Sequence, residues 1–292
     1  MRNLRANLLE LIRRTSAELP DDVFRAVDAG AKAEQAGSTG GYAMDIITKN
    51  IDLAKRKSQP LCQDTGSILF FVKAPVGFDQ MAFEAAAKVA VDEATAKGYL
   101  RQNSVDSVTG KNSGNNLGPG SPTLHYHQYR GTRLEVRLVL KGGGCENVGA
   151  QYSLPDTRIG ANRDLDGARK VILDAVVQAQ GKGCSPGILG VCIGGDRATG
   201  YLHSKEQLLR TLEDVSPDPP LAALERDIVQ TANKLGIGPM GFGGKTTLLG
   251  CKIGALNRLP ASFFVSVSYM CWAYRRQGFL LSDAGKVVKW LY

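Results

Sequence analysis

The segment PLCQDTG (residues 60–66) places a thiol, an amide, a carboxylate and a hydroxyl side by side and closes with a glycine. It follows a helix-like segment and precedes an apolar run, residues 68–72, that is typical of a buried strand. A soft metal ligand next to an acid/base group is an unusual pairing for a turn that only packs. The segment therefore predicts a functional turn between a helix and a core strand.

Working outward from this turn, the periodicity of apolar residues assigns most of the chain to short helices and strands. Helices are predicted at residues 4–16, 42–57, 78–97, 164–180 and 219–235, with another that starts at residues 20–22, leads to Val27 and precedes a break at residues 37–41. One more is predicted from a capping-box pattern of Ser204 with Gln207. Strands are predicted at residues 68–72, 123–130, 133–140, 188–193, 247–253 and 263–269. Gly131-Thr132 predicts a tight hairpin between the second and third of these strands.

Helices interspersed with strands predict an α/β fold of the mixed α+β kind. We expect a single domain over residues 1–292, with mixed sheets flanked by helices and glycine-rich loops at strand ends, where ligand sites tend to gather. One further loop, residues 109–122, is long and rich in Gly, Asn and Pro. Loops of that length inside a compact domain are usually functional or mobile.

Composition and charge exclude several classes of protein. Hydrophobic residues make up 43% of the chain and charged residues 22%, which is ordinary for a soluble globular protein. The net charge is +8, but the basic residues are dispersed, and the densest run, residues 55–57, ends a predicted helix. We therefore expect a small anionic substrate and no nucleic acid or membrane partner. No export signal is recognised, so the six cysteines predict a reducing, cytoplasmic setting and no disulfide framework.

Three cysteines, Cys62, Cys184 and Cys271, lie at predicted junctions of loops and strands. Three thiolates from distant parts of a chain can hold a [4Fe–4S] cluster and leave one iron open as a Lewis acid. Their spacing is not a compact Cys-x-x-Cys pattern, so the residues alone leave open that they are buried apolar cysteines.

Asp64 has two interpretations. Beside a metal ligand, its carboxylate can move a proton or hold a bound hydroxyl. Asp followed by Thr-Gly is also well suited to cap an Asx turn, and the local sequence alone favours this second role.

Other candidates carry less weight. Residues 241–247 resemble a phosphate-binding P-loop, but position 239 is Pro in place of the required Gly and a strand follows. We therefore exclude nucleotide binding, although backbone amides there could still bind a carboxylate.

His125 and His127 share a strand face but lack a nearby third zinc ligand in the sequence. Arg101 precedes the polar loop and could grip a carboxylate with its two-pronged fork.

Six stretches in order resemble the class I iron–sulfur hydro-lyases, namely class I fumarate hydratases and the alpha subunit of L(+)-tartrate dehydratase. The stretches read PLCQDTG (60–66), KGGG (141–144), CSP (184–186), LGIGP (235–239), GGKTT (243–247) and CWAYRR (271–276), and the resemblance covers about residues 20–278. The resemblance implies that the whole chain is one alpha-type catalytic domain and that Cys62, Cys184 and Cys271 hold a [4Fe–4S] cluster.

The same resemblance assigns roles to four further residues. It implies that Gln63 and Asp64 touch the substrate beside the cluster as catalytic residues, that Arg101 binds a substrate carboxylate, and that Gly143 offers a backbone contact. It places Cys145 where many members have serine, so we interpret it as a loop residue and not a ligand. Cys192 and Cys251 fall inside predicted strands and are interpreted as core residues.

The chain departs from the family pattern at two points. The position twelve residues before the last cluster cysteine, commonly a substrate-facing histidine, is Leu259. The family's active site also includes another domain, which here we expect as a separate beta subunit in a heterotetramer or beside a homodimer of alpha subunits.

The resemblance implies reversible hydration of fumarate to (S)-malate, a step of the tricarboxylic acid cycle. Dehydration of L(+)-tartrate to oxaloacetate is the alternative, because the CWAYRR stretch is closer to the tartrate branch while GGKTT is closer to the fumarase branch. A non-catalytic iron–sulfur subunit is the third hypothesis, motivated by Leu259 and the second domain.

Overall fold

The computed structural model describes residues 3–282 and 285–292, which divide into two compact units. One unit is drawn from residues 3–21, 49–143, 273–282 and 285–292, and the other from residues 22–48 and 144–272. Each unit contains one mixed sheet with helices against it. The mixed α+β fold predicted from the sequence is confirmed. Among the described residues, no helix has both the length and the apolar character that crossing a bilayer requires.

The first unit is built on a five-stranded sheet in the order β2-β1-β3-β8-β9. Its strands are β1 (Ser67–Pro75), β2 (Thr123–Tyr129), β3 (Leu134–Lys141), β8 (Arg276–Leu281) and β9 (Val287–Trp290). Helices α1 (Leu4–Ala17) and α4 (Gln80–Ala96) pack on each other, and α1 also covers β3 and β8. The core forms because α1, α4 and alternate positions of β3 present aliphatic and aromatic side chains at helical and strand periods.

Strand β1 lies between β2 and β3, so the predicted hairpin is wrong. It pairs in parallel with β2 and antiparallel with β3, and residues 130–133 pass its end. The physical reason is burial: residues 68–72 are apolar and buried on both faces, as a central strand requires. The more polar β2, with His125 stacked on Phe71 at 4.9 Å, takes the edge.

The second unit is built on a four-stranded sheet in the order β4-β7-β5-β6. Its strands are β4 (Ala150–Ser153), β5 (Gly187–Gly194), β6 (Leu248–Leu256) and β7 (Phe264–Met270). Helices α7 (Arg197–Gln207) and α8 (Pro219–Asn233) pack on this sheet, with α6 (Leu165–Ala179) against α8. Helix α2 (Asp21–Ala33) lies almost wholly in this unit, while α3 (Thr39–Lys57) and the short α5 (Gly143–Asn147) contain residues of both.

The helix predicted to begin at Ser204 is misplaced. Helix α7 begins earlier because Asp196 caps it, accepting hydrogen bonds from the N–H groups of Ala198 and Thr199 at 2.9 and 3.0 Å. Ser204 lies inside the helix, where its hydroxyl donates to the carbonyl of Tyr201. The pattern of Ser204 with Gln207 therefore does not mark the start of a helix. The cap at Asp196 starts the helix upstream, and both residues lie inside it.

Candidate functional site

The turn at residues 60–66 is an Asx turn closed by Asp64. The N–H of Gly66 donates to Asp64 Oδ1 at 2.9 Å. Gly66 has φ +82°, and a Cβ there would lie 2.5 Å from the carbonyl oxygen of Lys141. Only glycine fits this conformation and this approach. The turn-capping interpretation of Asp64 is therefore correct, and the turn is seated directly on the chain that leaves β3.

The Asp64 carboxylate has partners beyond its own turn. Its Oδ2 accepts the N–H of Gly143 at 2.6 Å, and its Oδ1 also accepts from Asn103 Nδ2 at 3.2 Å. The missing side chain of Gly142 allows this approach, since a Cβ there would stand 3.1 Å from Oδ2. Thus the Gly143 amide, which the resemblance assigns to substrate, donates to Asp64 in this structure. The carboxylate stands at the centre of three chain segments.

A buried arginine lies behind Asp64. Arg275 is only 1% exposed, and its Nη1 donates to the backbone carbonyl of Asp64 at 2.7 Å. Within the described part of the chain its Nε has no hydrogen-bond partner. A buried guanidinium is costly unless an anion is close, so this corner of the unit suits a negatively charged group. The sequence contained Arg275 within CWAYRR but offered no reason to single it out.

Arg101 is tied by its backbone to the same turn. Its N–H donates to the hydroxyl of the buried Thr65 at 3.2 Å, and its carbonyl accepts from Asn116 Nδ2 at 2.7 Å. The Arg101 side chain is exposed, as is that of Gln63, and the Cys62 thiol is free and half-buried. The structure thus brings together, within the first unit, the predicted residues of the turn, Arg101 and Gly143.

In the second unit, Cys184 and Cys271 lie at one end of the sheet. Ile188 of β5 pairs with Met270 of β7, which places the residues before β5 beside those after β7. The N–H of Trp272 donates to the carbonyl of Cys184 at 3.4 Å. Cys184 also has φ +55°, a left-handed conformation that costs a non-glycine residue about 1–3 kcal/mol and is commonest at functional sites.

Tyr269 marks the surroundings of these thiols. Burial raises the pKa of Tyr269, and the nearby thiols of Cys271, Cys145 and Cys184 raise it further. Cys145, which we expected in a loop, lies in α5 and is buried. It therefore lies near Tyr269, as Cys184 and Cys271 do, and that it is not a ligand stays a prediction.

Two other cysteines belong to the core. Cys192 in β5 and Cys251 in β6 are both buried. Burial raises the pKa of the Cys192 thiol to about 12 and raises that of Cys251 even more. Such thiols stay protonated and inert at neutral pH, which agrees with their interpretation as packing residues.

The donor chemistry of the predicted ligand set suits an iron–sulfur cluster. Cys62, Cys184 and Cys271 are all outside disulfides, and thiolates are the ligands that hold such clusters. Among residues 3–282 and 285–292, however, no three Cys, His, Asp or Glu side chains are arranged to hold a single metal ion. The cluster stays a prediction, on donor identity and on the strained backbone of Cys184.

Leu259 lies far from the predicted cluster cysteines of its own unit. Leu259 follows β6, whose last residue, Leu256, pairs with Gly194 at the end of β5 remote from Cys184. Eight strand residues separate the two ends, or roughly 25 Å at the usual rise per residue. Leu259 is 72% exposed there. A side chain at this position therefore cannot reach Cys184 or Cys271 of the same unit, and leucine removes no polar contact beside them.

The glycine-rich loop that resembles a P-loop binds a carboxylate of the chain itself. Both Glu34 oxygens accept the N–H of Lys245 at 3.0 Å, and Oε1 also accepts that of Thr246 at 2.7 Å. A Cβ on Gly244 would stand 2.5 Å from Glu34 Oε2. Because this nest of amides is filled from within the unit, the exclusion of nucleotide binding gains a structural reason.

Comparison with known proteins agrees with the family that the six sequence stretches resemble. The family model for fumarate hydratase (Fumerase) matches residues 5–279. A protein named "Putative fumarate hydratase class I" from Geobacillus stearothermophilus is 52% identical over 296 residues, which cover 100% of this chain and 58% of the relative. The L(+)-tartrate dehydratase subunit alpha of Escherichia coli K12 is 32% identical over 271 residues, covering 92% of this chain and 87% of the relative.

Proposed function

Because the chain belongs to the fumarate hydratase (Fumerase) family, we propose that it is a hydro-lyase that reversibly hydrates fumarate to (S)-malate. The 52% identity to a relative named for fumarate favours that substrate over tartrate, for which the named relatives are 32% identical. The chain spans 58% of the former relative, and the latter are named as alpha subunits. We therefore propose that it works as an alpha subunit with a separate beta subunit.

The observation that carries this proposal is the arrangement around Asp64. Two positions after Cys62 in the sequence, one carboxylate is fixed by Gly66, Asn103 and Gly143, with the buried cation of Arg275 behind it. A fixed carboxylate near a buried positive charge is what proton transfer on an anionic substrate needs. A packing turn needs only the bond to Gly66.

We assign the cluster to Cys62, Cys184 and Cys271. When bound, a [4Fe–4S] cluster supplies an open iron that acts as a Lewis acid on a substrate oxygen. Thiol ligands and such an iron require a reducing environment, which supports cytoplasmic localisation. We also propose that residues 1–292 act as one catalytic domain.

The chain's own residues perform the remaining work. Asp64 exchanges a proton with the substrate, and the exposed amide of Gln63 beside it contacts the same ligand. Arg101 holds one substrate carboxylate by its fork, since its backbone is fixed while its side chain is exposed. The Arg275 guanidinium favours negative charge that develops near Asp64. For the Gly143 amide to meet substrate, the substrate oxygen must take the place of Asp64 Oδ2 on that N–H.

The test is anaerobic reconstitution with iron and sulfide, read by iron content and absorbance. Cys62→Ser, Cys184→Ser and Cys271→Ser are each expected to abolish the cluster, whereas Cys251→Ser, in the core, retains it. Cys145→Ser, beside Tyr269, is expected to retain it as well. A wild-type chain that binds no iron, or three variants that all keep it, would end the proposal.

The substrate is decided separately, with the reconstituted chain and a beta-type partner. Fumarate and L-malate are expected to interconvert at least about tenfold more efficiently than L(+)-tartrate is dehydrated. The reverse preference would select tartrate dehydration. A cluster whose spectrum does not change when either dicarboxylate is added, together with no turnover, would identify a non-catalytic iron–sulfur subunit.

A further inference from the structure

The loop after α4 carries a chain of polar contacts that begins at a buried amide. Asn116 is only 3% exposed and has φ +63°, a left-handed conformation. Its Nδ2 donates to the carbonyl of Arg101 at 2.7 Å and to the hydroxyl of Thr95 at 2.9 Å, while its Oδ1 accepts the N–H of Asn103 at 2.7 Å. One buried side chain therefore holds both ends of the segment 101–103.

The opposite side of this segment is fixed by the turn that contains Asp64. Thr65, which is buried, accepts the N–H of Arg101 and the Nδ2 of Asn103 through one hydroxyl oxygen, each at 3.2 Å. The same Nδ2 donates to Asp64 Oδ1. Residues 101–103 are thus clamped between Asn116 and the turn, and Asn103 is the side chain that reaches the carboxylate.

The rest of the loop is ordered by its own bonds and does not need this contact. Val105 and Asn112 form a bridge, and the N–H of Ser113 donates to the carbonyl of Ser104 at 2.9 Å. Asn112 Nδ2 donates to the carbonyl of Gln102 at 2.8 Å. A contact from Asn103 to Asp64 is therefore not required to fold the loop, although it fixes the carboxylate.

We propose that Asn103 and Asn116 are positioning residues for the reaction: Asn116 fixes the backbone of Arg101 and Asn103, and Asn103 holds Oδ1 of the Asp64 carboxylate in its turn while Oδ2 is exchanged for substrate on the Gly143 N–H. The inference deepens the proposed function and rests on it for its kinetic part. It links the residue that exchanges the proton to the residue that binds the carboxylate through one buried amide. The spacing between the two groups then depends on Asn116 and not on either functional side chain.

The decisive experiment measures amide hydrogen exchange on the chain without substrate or partner. In Asn103→Ala, the amides of Gly66 and Gly143 should exchange about fivefold or more faster, because the carboxylate that accepts both loses a restraint. Asn112→Ala is the matched control: an exposed asparagine of the same loop that donates to a backbone carbonyl and not to Asp64. It should leave both amides unchanged.

A kinetic arm then separates positioning from folding. With an active wild-type complex, Asn103→Ala should lower kcat about tenfold with KM changed less than about threefold, since it acts on Asp64. Asn116→Asp, which keeps Oδ1 and loses both donors, should raise KM, since it releases the backbone of Arg101. Asn116→Ser serves if the buried acid prevents folding.

Each outcome is informative. Unchanged exchange at Gly66 and Gly143 in Asn103→Ala, or equal changes in Asn112→Ala, would overturn the inference whatever the activity. An inactive wild-type complex would overturn the proposed function, while the exchange comparison would still decide whether Asn103 holds Asp64. Faster exchange with unchanged kcat would show that the contact is structural only and would overturn the positioning role.

Discussion

Removing the Glu34 carboxylate should destabilise the second unit severely. Glu34 is 9% exposed and accepts two backbone N–H groups of the glycine-rich loop, those of Lys245 and Thr246. Glu34→Ala leaves both donors without an acceptor, at about 1–3 kcal/mol each, so the free energy of unfolding should fall by about 2–6 kcal/mol. Urea unfolding followed by circular dichroism measures this through the midpoint at constant slope.

Two variants sharpen the comparison. Glu213→Ala removes a carboxylate whose partner, Arg25, is largely exposed, so it should cost less than about 1 kcal/mol. Glu34→Gln keeps one acceptor oxygen but turns an amide donor toward the N–H of Lys245. Its loss in free energy of unfolding should therefore lie between those of Glu213→Ala and Glu34→Ala. If Glu34→Ala unfolds within about 1 kcal/mol of wild type, the carboxylate does not hold the loop and the reasoning fails.

Three further predictions concern the turn and the titrating groups. Gly66→Ala should cost about 2–5 kcal/mol in urea unfolding, whereas Gly77→Ala, also at φ +82° but in open space, should cost about 1–2 kcal/mol; equal costs would contradict the close approach at Gly66. Cys192 and Cys251 should resist a thiol reagent at pH 8 until the chain unfolds, because burial raises the pKa of both; labelling that precedes unfolding would refute this. Burial raises the pKa of Tyr201 to about 12, above its ordinary value near 10, so the stability it confers is complete below pH 10 and lost as the pH rises toward 12. Urea midpoints from pH 8 to 12 should fall less steeply in Tyr201→Phe, and parallel curves would count against the assignment.

The elements that sequence reasoning found are those decided by local periodicity. Helices α1, α4 and α6 and strands β1 and β5 were predicted within a few residues, because each carries its apolar side chains at one period. Pairing is not local, and β2 and β3 were joined in error because the short segment between them is compatible with a turn whichever strand lies beside them.

Strand β8 was missed for a different reason. It begins with Arg276 and Gln277, which are both buried. Charged and polar residues usually lie at the surface, so the sequence did not indicate a core strand here. The same rule concealed Arg275. Asp64 and Arg101 were candidates from their residue types, but only the resemblance to a family grouped them with Gly143 in one site, since their proximity depends on contacts between positions 36 to 79 residues apart. Asn116 had no signal beyond its place in the long polar loop of residues 109–122, and Asn103, which precedes that loop, had none.

The position of β8 constrains the order in which the chain can fold during synthesis. Strand β8, residues 276–281, pairs with β3, so that edge of β3 has no partner strand until the intervening chain has been made. At ribosomal rates of about 5–20 residues per second, that interval lasts roughly 7–27 s. Residues 144–272 of the second unit emerge within it, and residues 22–48 have emerged before it. The inserted unit can therefore be complete while the unit that encloses it in sequence still presents an unpaired strand, the kind of edge that chaperones must cover and that prematurely terminated chains never close.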